Sequence, residues 1–228
     1  MNMPATDSDS LTESLDLYRE VHKGLRLALF DLARTAGALD PADRPSSDAF
    51  CEQFADVDMM LQTHHTHEDD PMLSALLTDY APTALKDRVH AEHVVTDERL
   101  AELRALVAEL SQGTDTTEAI YDAITTFIAA YLVHMEVEER QVMPAIQNGA
   151  PIEKLMAVQM AIRTSVPPLD MCVFLRCMLP AMNPEERTAM LGGMKMGAPP
   201  EIFAMFWETA ESCLSSTDMA TVAGRMAD

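Results

Sequence analysis

His64-His65-Thr66-His67-Glu68-Asp69 is answered further along the chain by His134-Met135-Glu136-Val137-Glu138-Glu139. Each stretch holds a His with a Glu four residues on. On a helix that spacing puts imidazole and carboxylate one turn apart on the same face. Neutral imidazole and carboxylate are both good ligands for first-row metal ions, so two such pairs on two helices can hold two ions.

The flanking sequence supplies the helices. A first helical pattern runs from about Leu11 to Leu39, with Leu15, Tyr18, His22, Leu25, Leu29 and Leu32 on its apolar face. Asp40-Pro41-Ala42-Asp43-Arg44-Pro45 breaks it, and Ser46-Ser47-Asp48 offers caps for a second helix. That helix carries the stripe Phe50, Phe54, Val57, Leu61, His64, Glu68. Pro71 is placed to kink or end it, with Met72 to Leu77 as a continuation. Ala81-Pro82-Thr83 opens a third, with Leu85, Val89, His93, Thr96, Leu100, Leu103, Val107 and Leu110; Gln112-Gly113 closes it. Asp115-Thr116-Thr117-Glu118 starts the fourth with capping chemistry. Its stripe is Ile120, Ile124, Phe127, Tyr131, His134, Glu138, Val142, Ala145, and Asn148-Gly149 ends it.

Alternating steps of three and four describe narrow seams, as in a four-helix bundle. Short connections make neighbouring helices antiparallel, and in that order His22, His64, His93 and His134 come to roughly one level. The predicted fold is all-α: an antiparallel four-helix bundle over residues 11–149 after a polar tail (1–10), followed by a Met-rich helical extension over 150–228. Prolines and glycines divide that extension into shorter helices near 152–165, 169–182, 184–195, 199–214 and 217–226. It contains no His.

Charge sharpens the division. Residues 1–150 carry 10 Lys/Arg against 28 Asp/Glu, and residues 151–228 carry 6 against 9. A net charge of −21 argues against a nucleic-acid partner, which needs a basic face. Cys51, Cys172, Cys177 and Cys213 show no zinc spacing. The tail has neither a basic stretch nor an apolar core of a leader, and no run approaches eighteen apolar residues. The expectation is a soluble cytoplasmic protein with no membrane partner; its oligomeric state is left open.

A single His on an apolar seam is more often a hydrogen-bonded core residue than a ligand. Four of them on four seams, two with a same-face Glu and none with a nearby Lys or Arg, are different. Burying two carboxylates beside four imidazoles costs several kcal/mol unless opposite charge compensates. Two metal cations are the simplest compensation.

These residues resemble the hemerythrin-like proteins in their bacterial HHE cation-binding form. The likeness covers about residues 11–147. It rests on Val21-His22-Lys23-Gly24-Leu25-Arg26, on the two HxxxE stretches, on Ala91-Glu92-His93, and on Met143-Pro144 after the fourth-helix motif. It implies a non-haem di-iron centre: His22, His64, His93 and His134 as terminal ligands, with Glu68, Glu138 and a water-derived oxo or hydroxo group bridging the irons. It also implies one iron with imidazoles from helices one and four and another from helices two and three, although the sequence leaves the pairing open.

Oxygen-carrying members have five His, two of them four apart on helix three. Here His90 and His93 are three apart, with Val89 at the four-back position. Such members place an Asp five residues after the helix-four His, where this chain has Glu139 behind Glu138. Six ligands leave more of the coordination sphere open. The reading therefore leans from reversible oxygen carriage towards reaction with O2, NO or peroxide, fed by an electron donor. Two alternatives stand beside it: a non-enzymatic iron or gas sensor or store, and a di-iron oxidase of an organic substrate held between bundle and extension. His90, Glu139, His65, Tyr18 and Tyr131 are further candidates, as added ligands or as hydrogen-bonding neighbours of ligands. His67 flanks the ligand turn. The methionines of the extension, Met171, Met178, Met182, Met190, Met194 and Met196 among them, read as adaptable packing. No catalytic residue is assigned.

Overall fold

The computed structural model describes residues 15–69 and 71–227. The predicted tail, and the first helix before Leu15, lie outside the described residues. The bundle consists of α1 (Arg19–Ala36), α2 (Arg44–Asp69), α4 (Thr83–Ser111) and α5 (Thr117–Val137), with short α3 (Pro71–Tyr80) after α2. A five-residue π-helical turn, Glu138–Val142, joins α5 to α6 (Met143–Gly149). The rest is helical: α7 (Ile152–Ser165), α8 (Pro168–Ala181), α9 (Pro184–Gly197), α10 (Pro200–Cys213) and α11 (Ser216–Arg225). The chain is all-α over the described residues.

The seams of the sequence are the buried faces of these helices. His22, Leu25, Leu29 and Leu32 are buried on α1, Phe50, Phe54, Val57, Leu61, His64 and Glu68 on α2, and Val89, His93, Thr96, Leu100, Leu103, Val107 and Leu110 on α4. Gly113 takes φ +90° after α4, a conformation that suits glycine and turns the chain into α5. The stretch Thr117–Gly149 is long and apolar enough to cross a membrane by length and composition. Here its apolar residues Ile120, Ile124 and Phe127 fill the core.

Several local expectations are corrected. The first helix starts at Arg19, because the Asp16 carboxylate accepts the amides of Tyr18 and Arg19, each at 2.9 Å, and so ends the chain's non-helical approach. Ser46-Ser47-Asp48 does not cap α2; the helix opens earlier, at Arg44, with Pro45 in its first turn, where a missing N–H costs nothing. Thr116 does not cap α5 either. Its hydroxyl donates to Leu106 O (2.9 Å), and Asp115 accepts the Thr117 amide instead.

The π turn is a larger correction. Pro144 lacks the N–H that would bond Arg140 O, and the Met143 amide reaches back five residues to Glu138 O. One residue is thereby inserted into the turn. The buried face moves on by one, from the expected Ala145 to Ile146.

Two apolar clusters result. The larger spans most of the bundle and the extension, from Leu25, Leu61, Leu100 and Met135 to Leu175 and Phe206. The smaller closes the other end, with Tyr18, Leu73, Val89, Val142 and Ile146. Along every bundle helix the candidate ligands fall between members of the two clusters, so they form a polar layer across an apolar bundle. α8 packs against α1 and α2. Its contact with α1 is close at Gly24, where a Cβ would stand 2.6 Å from Met178 Cγ.

Candidate metal centre

The structure brings all six predicted ligands into that layer, and all are buried. They form two groups that share the carboxylates: His22, His64, Glu68 and Glu138, and Glu68, His93, His134 and Glu138. In the first, His22 Nε2 and His64 Nε2 are 3.1 Å apart. His64 Nε2 stands 3.0 Å from Glu68 Oε1, and His22 Nε2 3.3 Å from Glu138 Oε2. In the second, His93 Nε2 and His134 Nε2 are 3.1 Å apart. Here the facing oxygens are Glu68 Oε2, 3.2 Å from His93, and Glu138 Oε1, 3.3 Å from His134. Each carboxylate thus turns one oxygen to each group, the disposition of a bridging ligand.

The pairing differs from the one the resemblance implied. Imidazoles from α1 and α2 meet, and those from α4 and α5 meet. α4 packs most extensively on α5, whereas α1 packs on α2 and on α5 to nearly the same extent, so the grouping is set by where each imidazole sits in the layer and not by helix adjacency alone.

Outer partners orient the rings. Glu139 Oε1 accepts from His22 Nδ1 at 2.9 Å and from Arg26 at 2.6 Å. Glu92 Oε2 stands 3.3 Å from His134 Nδ1, while its other oxygen is held by Arg88 at 2.8 Å. A carboxylate at Nδ1 fixes the proton there and leaves the Nε2 lone pair pointing inward. Glu139 is therefore a partner of a candidate ligand. Glu92, quoted in the sequence motif but given no role, is its counterpart; its position beside His93 was the available signal.

His90 is exposed and takes no part in either group. His65 lies outside the layer, its ring 4.3 Å from that of His93, with Asp97 (3.0 Å) and Asp69 (3.2 Å) on its nitrogens. His67 bonds Ser165 Oγ at the end of α7 (2.7 Å). The ring of Tyr18 lies tilted beside His22 (ring centroids 5.4 Å) and that of Tyr131 tilted beside His134 (5.7 Å), both buried.

The electrostatics call for positive charge. Among the described residues, the ion-pair partners of Glu68 and Glu138 are imidazoles alone. Burial pushes the Glu138 carboxyl well above its usual range, and the neighbouring Glu68 charge adds to it. Burial acts on Glu68 too, but His64 and His93 outweigh it and hold that carboxyl low. Burial lowers His22, and it lowers His134 to about 4. The inward lone pairs of His22 and His134 therefore face carboxylate oxygens, while at His93 burial is outweighed by the hydrogen bond and charge of Glu68, which raise that imidazole. Glu68 Oε1 and Glu138 Oε2, both in the first group, are buried with no hydrogen-bond partner. Such orphans are rare in native proteins unless an ion or water satisfies them. Imidazoles and carboxylates so grouped fit metal cations in place of the missing charge.

The two groups meet different surroundings. The first borders a cavity of about 300 Å³, lined by Tyr18, His64 and Glu68 on the bundle side and by Met171, Phe174, Met178 and Met190 among others on the extension. The second borders a void of about 20 Å³ between Leu61, Phe127 and Tyr131.

The family model for the hemerythrin HHE cation binding domain matches residues 13–155. A curated relative, a zinc finger protein BRUTUS-like from Arabidopsis thaliana, is 26% identical over 187 residues, which is 79% of this chain and 15% of that protein's length. No solved structure gives a significant match.

Proposed function

Because the chain belongs to the hemerythrin HHE cation-binding family, we propose that its two groups hold a pair of non-haem irons that bind and react with a small oxidant or diatomic: O2, NO or peroxide. The observation that carries this reading is the division of each carboxylate between the two groups, with two orphaned oxygens on the side of the cavity. When bound, iron supplies the electron transfer and the open coordination positions.

The protein's own residues do the rest. His22 and His64 would hold one ion, His93 and His134 the other, with Glu68 and Glu138 spanning both. Glu139 and Glu92 keep the rings of His22 and His134 in register. The apolar clusters on either side exclude water, which strengthens every charge interaction inside the layer. Tyr18 remains an O–H donor beside His22, since burial, aided by Glu138 and Glu68, pushes its hydroxyl well above the ordinary value. A hydroxyl so placed can donate to a small ligand at the first group. An electron donor is part of this reading, as is a cytoplasmic setting.

The test is a metal count with metal identity, followed by anaerobic reduction and addition of O2, NO or peroxide in an absorption spectrometer. The expected result is about two irons per chain and a spectral change with at least one of the three. No change with any of them refutes the reactivity, and less than about one metal per chain refutes the centre.

A second reading, oxidation of an organic substrate, is favoured by one observation: the 300 Å³ cavity between bundle and extension reaches His64 and Glu68.

A further inference from the structure

That cavity has more to say about its occupant. At about 300 Å³ it lies at the small end of ligand pockets, with room for about ten waters at ~30 Å³ each. An apolar lining does not hold such waters well, because each needs two to four polar partners. α8, α9 and α10 contribute Met171, Phe174, Met178, Met190, Met194 and Phe206. Methionine in this number gives a wall that adapts to shape and offers polarizable contact. α9 adds Gly193 and Gly197. A Cβ at Gly193 would meet nothing nearer than Arg163 Nη1 at 3.6 Å, and one at Gly197 nothing within 4 Å. These glycines leave space open along the wall.

Polar groups sit at the two ends. His64 and Glu68 form the inner end, and the orphaned Glu68 Oε1 belongs there. The exposed lining residues Met160, Arg163, Thr164 and Gly197 mark the mouth. Asp16 and Glu20 also line the cavity; Asp16 is engaged by Arg19 (3.2 Å) and by two backbone amides. An anion entering this space would meet Arg163 at the mouth, whose charge Glu20 already offsets, then pass two carboxylates of a strongly acidic protein and leave water for a methionine wall. A cation would lose its hydration for the same wall, with Asp16 already paired to Arg19 and Glu20 facing the charge of Arg163; in the loaded protein the metals would also neutralise the carboxylates of the inner end. Burying either charge unpaired is costly.

We infer that the cavity is a binding site for a small, uncharged, apolar organic molecule, seated in the methionine wall of the extension with one end against His64 and Glu68. The binding stands without the metals; the idea that the molecule is a substrate of the centre rests on the second reading above.

The probe is naphthalene, titrated by calorimetry into the full-length, iron-loaded protein, with 1-naphthoate and 1-naphthylmethylammonium as charged counterparts. Naphthalene is expected to saturate at about one per chain, and each charged analogue to bind at least about tenfold more weakly. Two variants fill the space from different helices: Gly193→Phe on α9 and Met171→Trp on α8. Each is expected to weaken naphthalene at least about tenfold while keeping helicity and iron content; should one not fold, the other decides. Unsaturable naphthalene binding, a charged analogue binding as tightly, or wild-type affinity in both folded variants overturns the proposal. Iron counted in the same samples separates this from the metal reading. Full iron without naphthalene binding rejects the cavity site alone, and naphthalene binding without iron supports it while rejecting the di-iron centre.

Discussion

The two halves of the polar layer are built alike and housed differently. Each has two imidazoles with Nε2 atoms 3.1 Å apart, one oxygen from Glu68 and one from Glu138, a carboxylate on an outer Nδ1, and a buried tyrosine alongside. Yet the His22–His64 half borders a 300 Å³ cavity, and the His93–His134 half a 20 Å³ void. Both orphaned oxygens belong to the cavity side. Like ligand sets need not mean like roles: access is set by what packs around them. Here the extension keeps a larger space beside one half, while beside the other only a small void remains, bordered by Leu61, Phe127 and Tyr131 and by His65 and Asp97. Under the proposed function, the His22–His64 half is the one that meets the small molecule, and its partner half supports it.

The largest expected effect comes from removing what the halves share. Glu138→Ala should lower iron from about two per chain to well under one, since both groups lose an oxygen; retention of two would break the shared-carboxylate picture. Next come the halves separately. In reduced protein, His64→Ala should abolish the NO-induced absorption change. His134→Ala should lose metal from its own half and keep a substantial part of that change. Equal loss in both would erase the asymmetry.

A third test uses acid on the metal-free protein. The folded-state value of His134 is depressed, to about 4 from about 6.5, by burial. Between those limits the unfolded chain binds the proton and the folded chain does not, so stability should fall as pH drops from about 6.5 to about 4. The contribution is about 2–3 kcal/mol. Glu138, whose carboxyl is raised, contributes in the opposite sense: stability present in acid is lost as pH rises through its folded value. Denaturant unfolding of wild type and His134→Gln isolates the histidine, and an unchanged pH slope in the variant would remove it from the account.

The smallest effects belong to the outer carboxylates. Glu139→Gln and Glu92→Gln should each weaken metal binding by about 10–100-fold. Glu139 should matter more: both carboxylates are anchored, by Arg26 and Arg88, but Glu139 bonds its imidazole at 2.9 Å while Glu92 stands at 3.3 Å. The reverse order, read by chelator competition, would mean that the His93–His134 half is the more demanding of the two.

The bundle helices and the six buried residues of the polar layer were readable from residue order, because a 3.6-residue period and a His–Glu spacing of four are properties of a helix taken alone. The grouping of the imidazoles was not, since it depends on where each ring sits once all four helices pack together. Glu92 carried no periodic signal, being a polar residue beside a seam, and its relation to His134 exists only across the α4–α5 contact. The π turn was not read from the sequence, which carried the fourth helix unbroken past Pro144 to Asn148-Gly149. Pro144 removes one N–H, but whether a helix then kinks, ends or takes an extra residue depends on what the following face must pack against, here Met143 and Ile146.

The sequence by itself determined an all-helical chain with a layer of His and Glu on its buried faces, because local geometry carries that information. Only the tertiary structure decided that two carboxylates each serve both groups, that α1 pairs with α2 and α4 with α5, and that the extension leaves one half open. Those facts are distances between helices. They are fixed by how side chains of different volume fill the space between them, and no spacing along one helix encodes that.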